Sequence, residues 1–193
     1  MTAFALISDI HSNVEALTAV FKRIDELGLQ TAHCLGDVIG YGAEPEACTE
    51  VVRERCSWTI MGNHDWGLFY SLDDFNPLAR EALLYTRKKM KPSLLAPRRK
   101  ALWSFLQGLP ERKEDHGYVF VHGSPRDPIM EYVLKSDGFL EPEKIADNFR
   151  RIDRPCFVGH THWPGIHRAD HRFTQATDEQ CTFELTGEPC TNT

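Results

Sequence analysis

Short apolar runs alternate with segments of helical periodicity along the first third of the chain. Phe4–Ile7 is an uninterrupted apolar run, and apolar residues then recur every three or four positions over Val14–Leu27. The first pattern predicts a buried strand, and the second predicts an amphipathic helix. Ser12, with Glu15 three positions later, predicts a capping box at the start of that helix.

The same alternation continues through the rest of the chain and predicts a largely parallel sheet covered by helices. A polar tail over Gly165–Thr193 carries scattered aromatic residues and predicts hairpin strands. Further strands are predicted over Thr31–Leu35, Trp58–Met61, Tyr118–Val121 and Cys156–Val158, and further helices from Pro45, from Asn76-Pro77, over Arg98–Leu106 and around Ile145–Ile152.

Length and composition indicate an ordinary globular domain. The chain has 193 residues, of which 41% are hydrophobic and 26% charged, and no run of 18 apolar residues that would cross a membrane. We therefore expect a single domain over residues 1–193. Met1–Ala5 has no basic region of a secretory signal, and the six cysteines show no CxxC spacing, so we expect a cytoplasmic protein with reduced thiols.

The charge balance bears on the class of partner. The chain carries 22 basic and 28 acidic residues, a net charge of −6, which argues against a protein that coats nucleic acid. However, seven basic and no acidic residues lie between Ala82 and Pro110. This basic cluster has two interpretations: a patch that steers a phosphate-bearing substrate or nucleic acid, or a solvated helix face.

Asp, Asn or His side chains follow each of five predicted strands. In an open α/β sheet, ligands bind outside the carboxyl ends of the strands, so we expect these side chains to converge on one crevice. They are Asp9 and His11 after the first strand, Asp37 after the second, Asn63, His64 and Asp65 after the third, His122 after the fourth, and His160 and His162 after the fifth.

Carboxylate, amide and imidazole groups are ligands of divalent metals of intermediate hardness. Seven of these side chains are candidate ligands, namely Asp9, His11, Asp37, Asn63, His122, His160 and His162. They are too many for one tetrahedral ion and suit two ions roughly 3.5–4 Å apart. Asp37 is the natural bridge between them because a carboxylate has two oxygens. Taken singly, the same residues could equally be helix caps, turn formers or solvated histidines.

In their order and spacing these motifs resemble the calcineurin-like metallophosphoesterase superfamily, and within it the branch of small prokaryotic phosphodiesterases and phosphatases. The resemblance rests on Asp9-Ile10-His11, Gly36-Asp37, Gly62-Asn63-His64-Asp65, His122-Gly123 and Gly159-His160-Thr161-His162. It implies an α/β fold, a four-layer αββα sandwich with two mixed sheets and a di-metal site at the carboxyl ends of the strands.

The resemblance also implies a role for each residue. Asp9, His11 and His162 would hold the first metal. Asn63, His122 and His160 would hold the second, and Asp37 would bridge the two. His64 would lie beside the scissile phosphate, with Asp65 orienting its ring.

Two features depart from the family pattern. Gly40-Tyr41-Gly42 stands where protein phosphatases and diadenosine tetraphosphate hydrolases carry Asp-Arg-Gly, so a phosphate-binding arginine is missing there and those substrate classes are disfavoured. The tail also ends before the closing strands of relatives, and we expect the second sheet to lack them.

The resemblance therefore implies a phosphodiesterase or phosphatase that acts on a small molecule or nucleotide through a hydroxide bridging two divalent ions. Manganese is favoured, with iron, zinc, cobalt or nickel as alternatives. Asn63, His64 and Arg126 are the expected substrate contacts, and His64 and Asp65 the expected catalytic residues. The alternatives are a catalytically weak metal-binding scaffold or regulatory relative, and a nuclease.

Overall fold

The computed structural model describes residues 3–179, 181–185 and 189–192. They belong to two compact units, residues 1–110 and 111–193. One strand ladder lies in each unit, with three strands in the first and six in the second.

The first unit contains the predicted alternation of strands and helices. Its three strands pair in the order β1-β2-β3, and both pairings are parallel. Its elements are β1 (Ala5–Ile7), α1 (Val14–Glu26), β2 (Ala32–Cys34), α2 (Pro45–Arg55), β3 (Trp58–Thr59), α3 (Asn63–Gly67), α4 (Pro77–Met90) and α5 (Pro97–Gln107).

Helix α1 shows why the apolar periodicity was informative. Leu17, Phe21 and Ile24 form its buried stripe. The predicted capping box is wrong by one position, because the Asn13 side chain accepts the first-turn hydrogen bond from the Ala16 N–H at 2.9 Å. Asn13 thus caps the free N–H groups of the first turn in the way that Ser12 was expected to do.

The second unit contains a mixed sheet. Its strands lie in the order β4-β5-β6-β9-β7-β8, and the β5-β6 and β6-β9 pairs are parallel while the others are antiparallel. Its elements are β4 (Arg112–Asp115), β5 (Tyr118–Val121), α6 (Asp137–Leu140), α7 (Pro142–Phe149), β6 (Cys156–Phe157), β7 (Gly165–Arg168), β8 (Phe173–Gln175) and β9 (Cys190–Asn192).

Strands β5 and β6 carry the core of this unit. Val119, Val121 and Cys156 are almost completely buried, and Phe149 of α7 packs against them. The predicted hairpin in the tail is confirmed by the antiparallel β7-β8 pair, and β9 lies between β6 and β7. Residues 180, 186–188 and 193 of that tail lie outside the described residues.

The α/β class with two sheets is therefore confirmed. Among the described residues the longest helix, α4, has 14 residues, and none is a candidate membrane span. All six cysteines are free thiols. The assignment of residues 1–193 to one domain stays a prediction.

Candidate metal centre

In the first unit, the polar residues after the three parallel strands lie at the same sheet edge. Asp9 and His11 follow β1, Asp37 follows β2, and Asn63 begins α3 after β3. His11 Nε2 lies 3.7 Å from Asp37 Oδ2 and 4.0 Å from Asp9 Oδ1. These are the separations of atoms that share a metal ion, so the predicted convergence holds within this unit.

The imidazole of His11 has a defined orientation. Its Nδ1 lies 3.3 Å from the carbonyl oxygen of Ile39, to which only a protonated nitrogen can donate. The Nδ1–H tautomer leaves the lone pair on Nε2, which is the nitrogen that faces Asp9 and Asp37. A backbone carbonyl that fixes the tautomer in this way is typical of metal-binding histidines.

Asp37 is buried, and its two oxygens have different surroundings. Oδ1 accepts a hydrogen bond from the His64 N–H at 2.8 Å. A side chain at position 62 would collide with this carboxylate, so Gly62 is required for the close approach. Oδ2 is left to face His11.

The predicted catalytic pair lies in the same unit. The His64 ring is buried among the rings of His11, Tyr41 and Phe75, at centroid distances of 4.7, 4.7 and 5.5 Å. Asp65 is fully buried and accepts hydrogen bonds from the backbone N–H groups of Val38, Ile39 and Gly62 at 3.0–3.3 Å. These bonds join the loop that carries Asp37 to the turn that carries His64. The expected action of Asp65 on the His64 ring stays a prediction.

In the second unit, His122 follows β5 while His160 and His162 follow β6. The ring centroids of His122 and His160 are 5.0 Å apart. His122 is fully buried and His160 is 7% exposed, whereas the His162 side chain is exposed. Two of the three predicted ligands in this unit therefore pair inside it, and the third lies on the same turn at its surface.

His160 is held by two residues that the sequence analysis did not identify. Its Nε2 lies 3.1 Å from the Met130 carbonyl oxygen, which again fixes the tautomer and leaves the lone pair on Nδ1. Its ring is stacked on Tyr132 with centroids 3.7 Å apart. Neither residue belongs to a motif, so no sequence signal pointed to them.

Met130 and Tyr132 belong to a loop, residues 122–132, that Glu131 fixes. Glu131 Oε2 accepts hydrogen bonds from the Ser124 hydroxyl at 2.6 Å and from the Asn148 amide at 3.2 Å, and Oε1 accepts from Arg126 Nε at 3.0 Å. Burial opposes ionisation of Glu131, but the hydrogen bonds from Arg126, Ser124 and Asn148 lower its pKa on balance. The carboxylate is therefore charged at neutral pH.

Arg126, an expected substrate contact, is engaged inside this network. Besides Glu131, its guanidinium lies 3.8 Å from Asp147, and these contacts raise its pKa. A phosphate at Arg126 would have to compete with both carboxylates. Its role as a phosphate ligand stays a prediction.

The backbone at the candidate ligands is unusual. Nine non-glycine residues in the described part of the chain have positive φ, and five of them are the predicted ligands Asp9, His11, Asp37, His160 and His162, with φ between 48° and 68°. This conformation is uncommon and costs free energy, and it concentrates at functional sites. The left-handed backbone thus marks five of the seven predicted ligands, together with four residues outside that set.

The basic cluster between Ala82 and Pro110 makes contacts that neither interpretation anticipated. Arg98 and Arg99 pair with Glu50 and Glu46 of α2, and Lys89 lies 3.6 Å from Glu44. Arg87 donates to the backbone carbonyls of Gly67 and Leu68 at the end of α3. Four of the seven cations therefore join helices within the first unit, which weakens the support for a nuclease.

Residues 2–178 match the family model of the calcineurin-like phosphoesterases, and the chain belongs to this family. A crystal structure of a metallophosphoesterase from Sphaerobacter thermophilus is similar over 98% of this chain and 74% of that chain, with a TM-score of 0.78 and 33% identity. An uncharacterised protein of Methanocaldococcus jannaschii is 38% identical over an alignment of 169 residues that covers 84% of this chain. The aligned part spans only 63% of that relative's length.

Proposed function

We propose that the protein is a hydrolase of phosphoesters that depends on two divalent metal ions and acts on a small molecule or a nucleotide. The main support is the orientation of the ligands at the edge of the first sheet. His11 Nδ1 is engaged by a backbone carbonyl, so Nε2 faces the carboxylates of Asp9 and Asp37. Family membership supports the same conclusion.

The residues fit such a pair of ions in their chemistry. Imidazole, carboxylate and amide donors suit manganese, iron, zinc, cobalt and nickel, and of these we favour manganese. Asp9, His11 and His162 would hold one ion, and Asn63, His122 and His160 the other. Asp37, whose carboxylate is fixed by the hydrogen bond from the His64 N–H, would be shared by the two ions.

Bound cations of this kind acidify a water to give a nucleophile at neutral pH and stabilise negative charge on phosphoryl oxygens. The residues of the chain supply the rest. His64 would donate a proton to the leaving oxygen or a hydrogen bond to the phosphoryl group. Asn63 would contact a phosphoryl oxygen beside it.

The cysteines of the chain support a function in a reducing compartment. All six cysteines are free, and burial raises the pKa of Cys48 and Cys56 to about 12, which keeps their thiols protonated and unreactive. We propose a cytoplasmic location on this ground.

Two substitutions at the first sheet edge test the assignment of roles. Asp37→Asn should lower both metal content and kcat/KM for bis-p-nitrophenyl phosphate, the latter by at least about 100-fold, since changes to residues around a metal ligand already cost 10–100-fold. His64→Ala should retain the metals and lower kcat by about 10²–10⁴-fold. The measurements are elemental analysis of protein purified without chelator, and initial rates with added Mn²⁺.

Asp74→Asn, which makes the same chemical change as Asp37→Asn at an exposed position that belongs to no motif, is the matched control and should change neither quantity. Loss of metal from His64→Ala equal to that from Asp37→Asn would refute the separation of roles. Full metal content without turnover of mono- or diesters would favour a binding or regulatory protein over a hydrolase.

A further inference from the structure

The turn Gly40-Tyr41-Gly42 is pressed against the candidate site. Gly40 has φ of 103°, and a side chain there would collide with the His64 ring. The Gly42 N–H donates to the His11 carbonyl at 2.9 Å. The turn therefore places Tyr41 beside both the predicted metal ligand His11 and the predicted acid His64.

The Tyr41 ring is anchored on one side and open on the other. It meets the His11 ring edge to face at 4.9 Å and the His64 ring at 4.7 Å, yet the residue is 45% exposed. The two ring contacts hold the Tyr41 ring in place, and its backbone has the uncommon φ of 45°. An exposed ring that is fixed in position is a suitable stacking surface.

This ring forms one wall of a cavity of about 670 Å³, here named the Tyr41 pocket, whose lining includes Asp9, His11, Asn13, Glu15, Tyr41 and Glu44. Its volume is in the range of small-molecule sites. No lysine or arginine is among the described lining residues. Lys89 lies 3.6 Å from Glu44 and donates a hydrogen bond to the Ala43 carbonyl.

These features favour one kind of occupant. An aromatic wall attracts a planar ring, because stacking of a base on an aromatic side chain is favourable for every base. The carboxylates of Glu15 and Glu44 repel a second anionic group beside the site. The pocket thus suits the uncharged aromatic part of a substrate whose single phosphate lies at the metal ligands.

We infer, on the basis of the proposed function, that the Tyr41 pocket binds the nucleobase of a nucleotide substrate by stacking on Tyr41, and that it selects against a second phosphate. Tyr41 is then a residue that determines specificity.

The test compares two phosphonates that cannot be hydrolysed, the methylene analogues of AMP and of 1-O-methylribose 5-phosphate, in which a methoxy group replaces the base. Isothermal titration calorimetry with the Mn²⁺-loaded protein should show the adenine compound binding about 10-fold more tightly, within the range that stacking gives. Tyr41→Asn should remove that difference, and Tyr41→Phe should retain it. Asparagine tolerates positive φ, so the first variant removes the ring without adding backbone strain.

Tyr70→Asn is the matched control, because Tyr70 is an exposed tyrosine of the same unit that stacks on Trp66 and does not line the pocket. It should retain the 10-fold difference. The corresponding diphosphonate should bind no more tightly than the monophosphonate, and Glu15→Gln should improve its binding.

An unchanged preference for the adenine compound in Tyr41→Asn would overturn the inference, as would a diphosphonate that binds about 10-fold more tightly than the monophosphonate. If both monophosphonates bind with equal, metal-dependent affinity to the unsubstituted protein, the phosphate site stands and the nucleobase pocket does not. If neither binds, the inference fails, and turnover of bis-p-nitrophenyl phosphate with added Mn²⁺ decides separately whether the proposed function stands.

Discussion

At the scale of single residues, the candidate ligands combine an uncommon backbone conformation with a fixed side-chain orientation. A left-handed conformation costs about 1–2 kcal/mol for a residue other than glycine. Five predicted ligands adopt it, and His11 and His160 are also oriented by backbone carbonyls. A substitution that relieves the left-handed conformation at one of these positions should therefore stabilise the metal-free protein but weaken metal binding.

His162 offers the clearest test, because its side chain is exposed and its φ is 56°. His162→Gly should make the metal-free protein more stable by about 0.5–1 kcal/mol, since relief of the left-handed strain exceeds the entropy that glycine loses on folding. The same substitution should weaken metal binding by at least about 10-fold, because an imidazole ligand is lost. Urea unfolding in EDTA measures the first effect and calorimetric Mn²⁺ titration the second.

The neighbouring substitution Thr161→Gly is the control. Thr161 does not have a positive φ, and its hydroxyl accepts a hydrogen bond from the Trp163 N–H, so glycine should destabilise there. If His162→Gly lowers stability as Thr161→Gly does and leaves metal affinity unchanged, His162 is a structural residue.

At the scale of elements, the loop over residues 122–132 acts as a support for His160. Glu131 receives hydrogen bonds from Ser124, Arg126 and Asn148, and the residues on either side of it, Met130 and Tyr132, contact the His160 ring. Glu131 thus fixes the positions of Met130 and Tyr132, and these two residues orient the His160 ring.

Glu131→Gln should therefore weaken metal binding by about 10-fold, as changes around a ligand do. Glutamine keeps the size of the side chain but loses the ion pair with Arg126 that helps to hold the loop. Calorimetric Mn²⁺ titration measures the affinity. Long-range ¹H–¹⁵N spectra of the histidine rings should show that His160 no longer occupies a single tautomer.

Glu143→Gln, an exposed position in the first turn of α7, is the matched control and should alter neither measurement. A Glu131→Gln protein of lower stability but with unchanged affinity and an unchanged His160 spectrum would show that the network is only structural.

The strands and loops also show what the sequence can predict. Strands β1 and β5 are apolar runs and were found because burial on a sheet requires that pattern. Strand β4 reads Arg-Lys-Glu-Asp and was missed, since a charged edge strand carries no apolar signal and forms through its pairing with β5. In the site, the ligands follow the strands closely along the chain. Met130 and Tyr132 instead contact His160 from about 30 positions away along the chain, a separation that no local pattern reports.

At the scale of the whole molecule, the candidate ligands come from both units, Asp37 from the first and His122 from the second. If one pair of ions takes ligands from both units, metal binding is linked to the folding of the entire chain. Binding at 100 times Kd stabilises by about 2.7 kcal/mol, which for a protein of this size raises Tm by roughly 5–10 °C. Differential scanning fluorimetry with Mn²⁺, reversed by EDTA, should show this rise.

The dependence of that rise on substitutions distinguishes a shared pair of ions from separate sites. If the ions are shared, Asp37→Asn and His122→Ala should each remove most of the Mn²⁺-induced rise in Tm, and the double variant should lose little more. Such a shortfall from additivity is expected only for residues that act together at one metal site. If each substitution removes about half of the rise and the double variant removes all of it, the two units bind metal independently, and the assignment of Asp37 as a bridge is wrong.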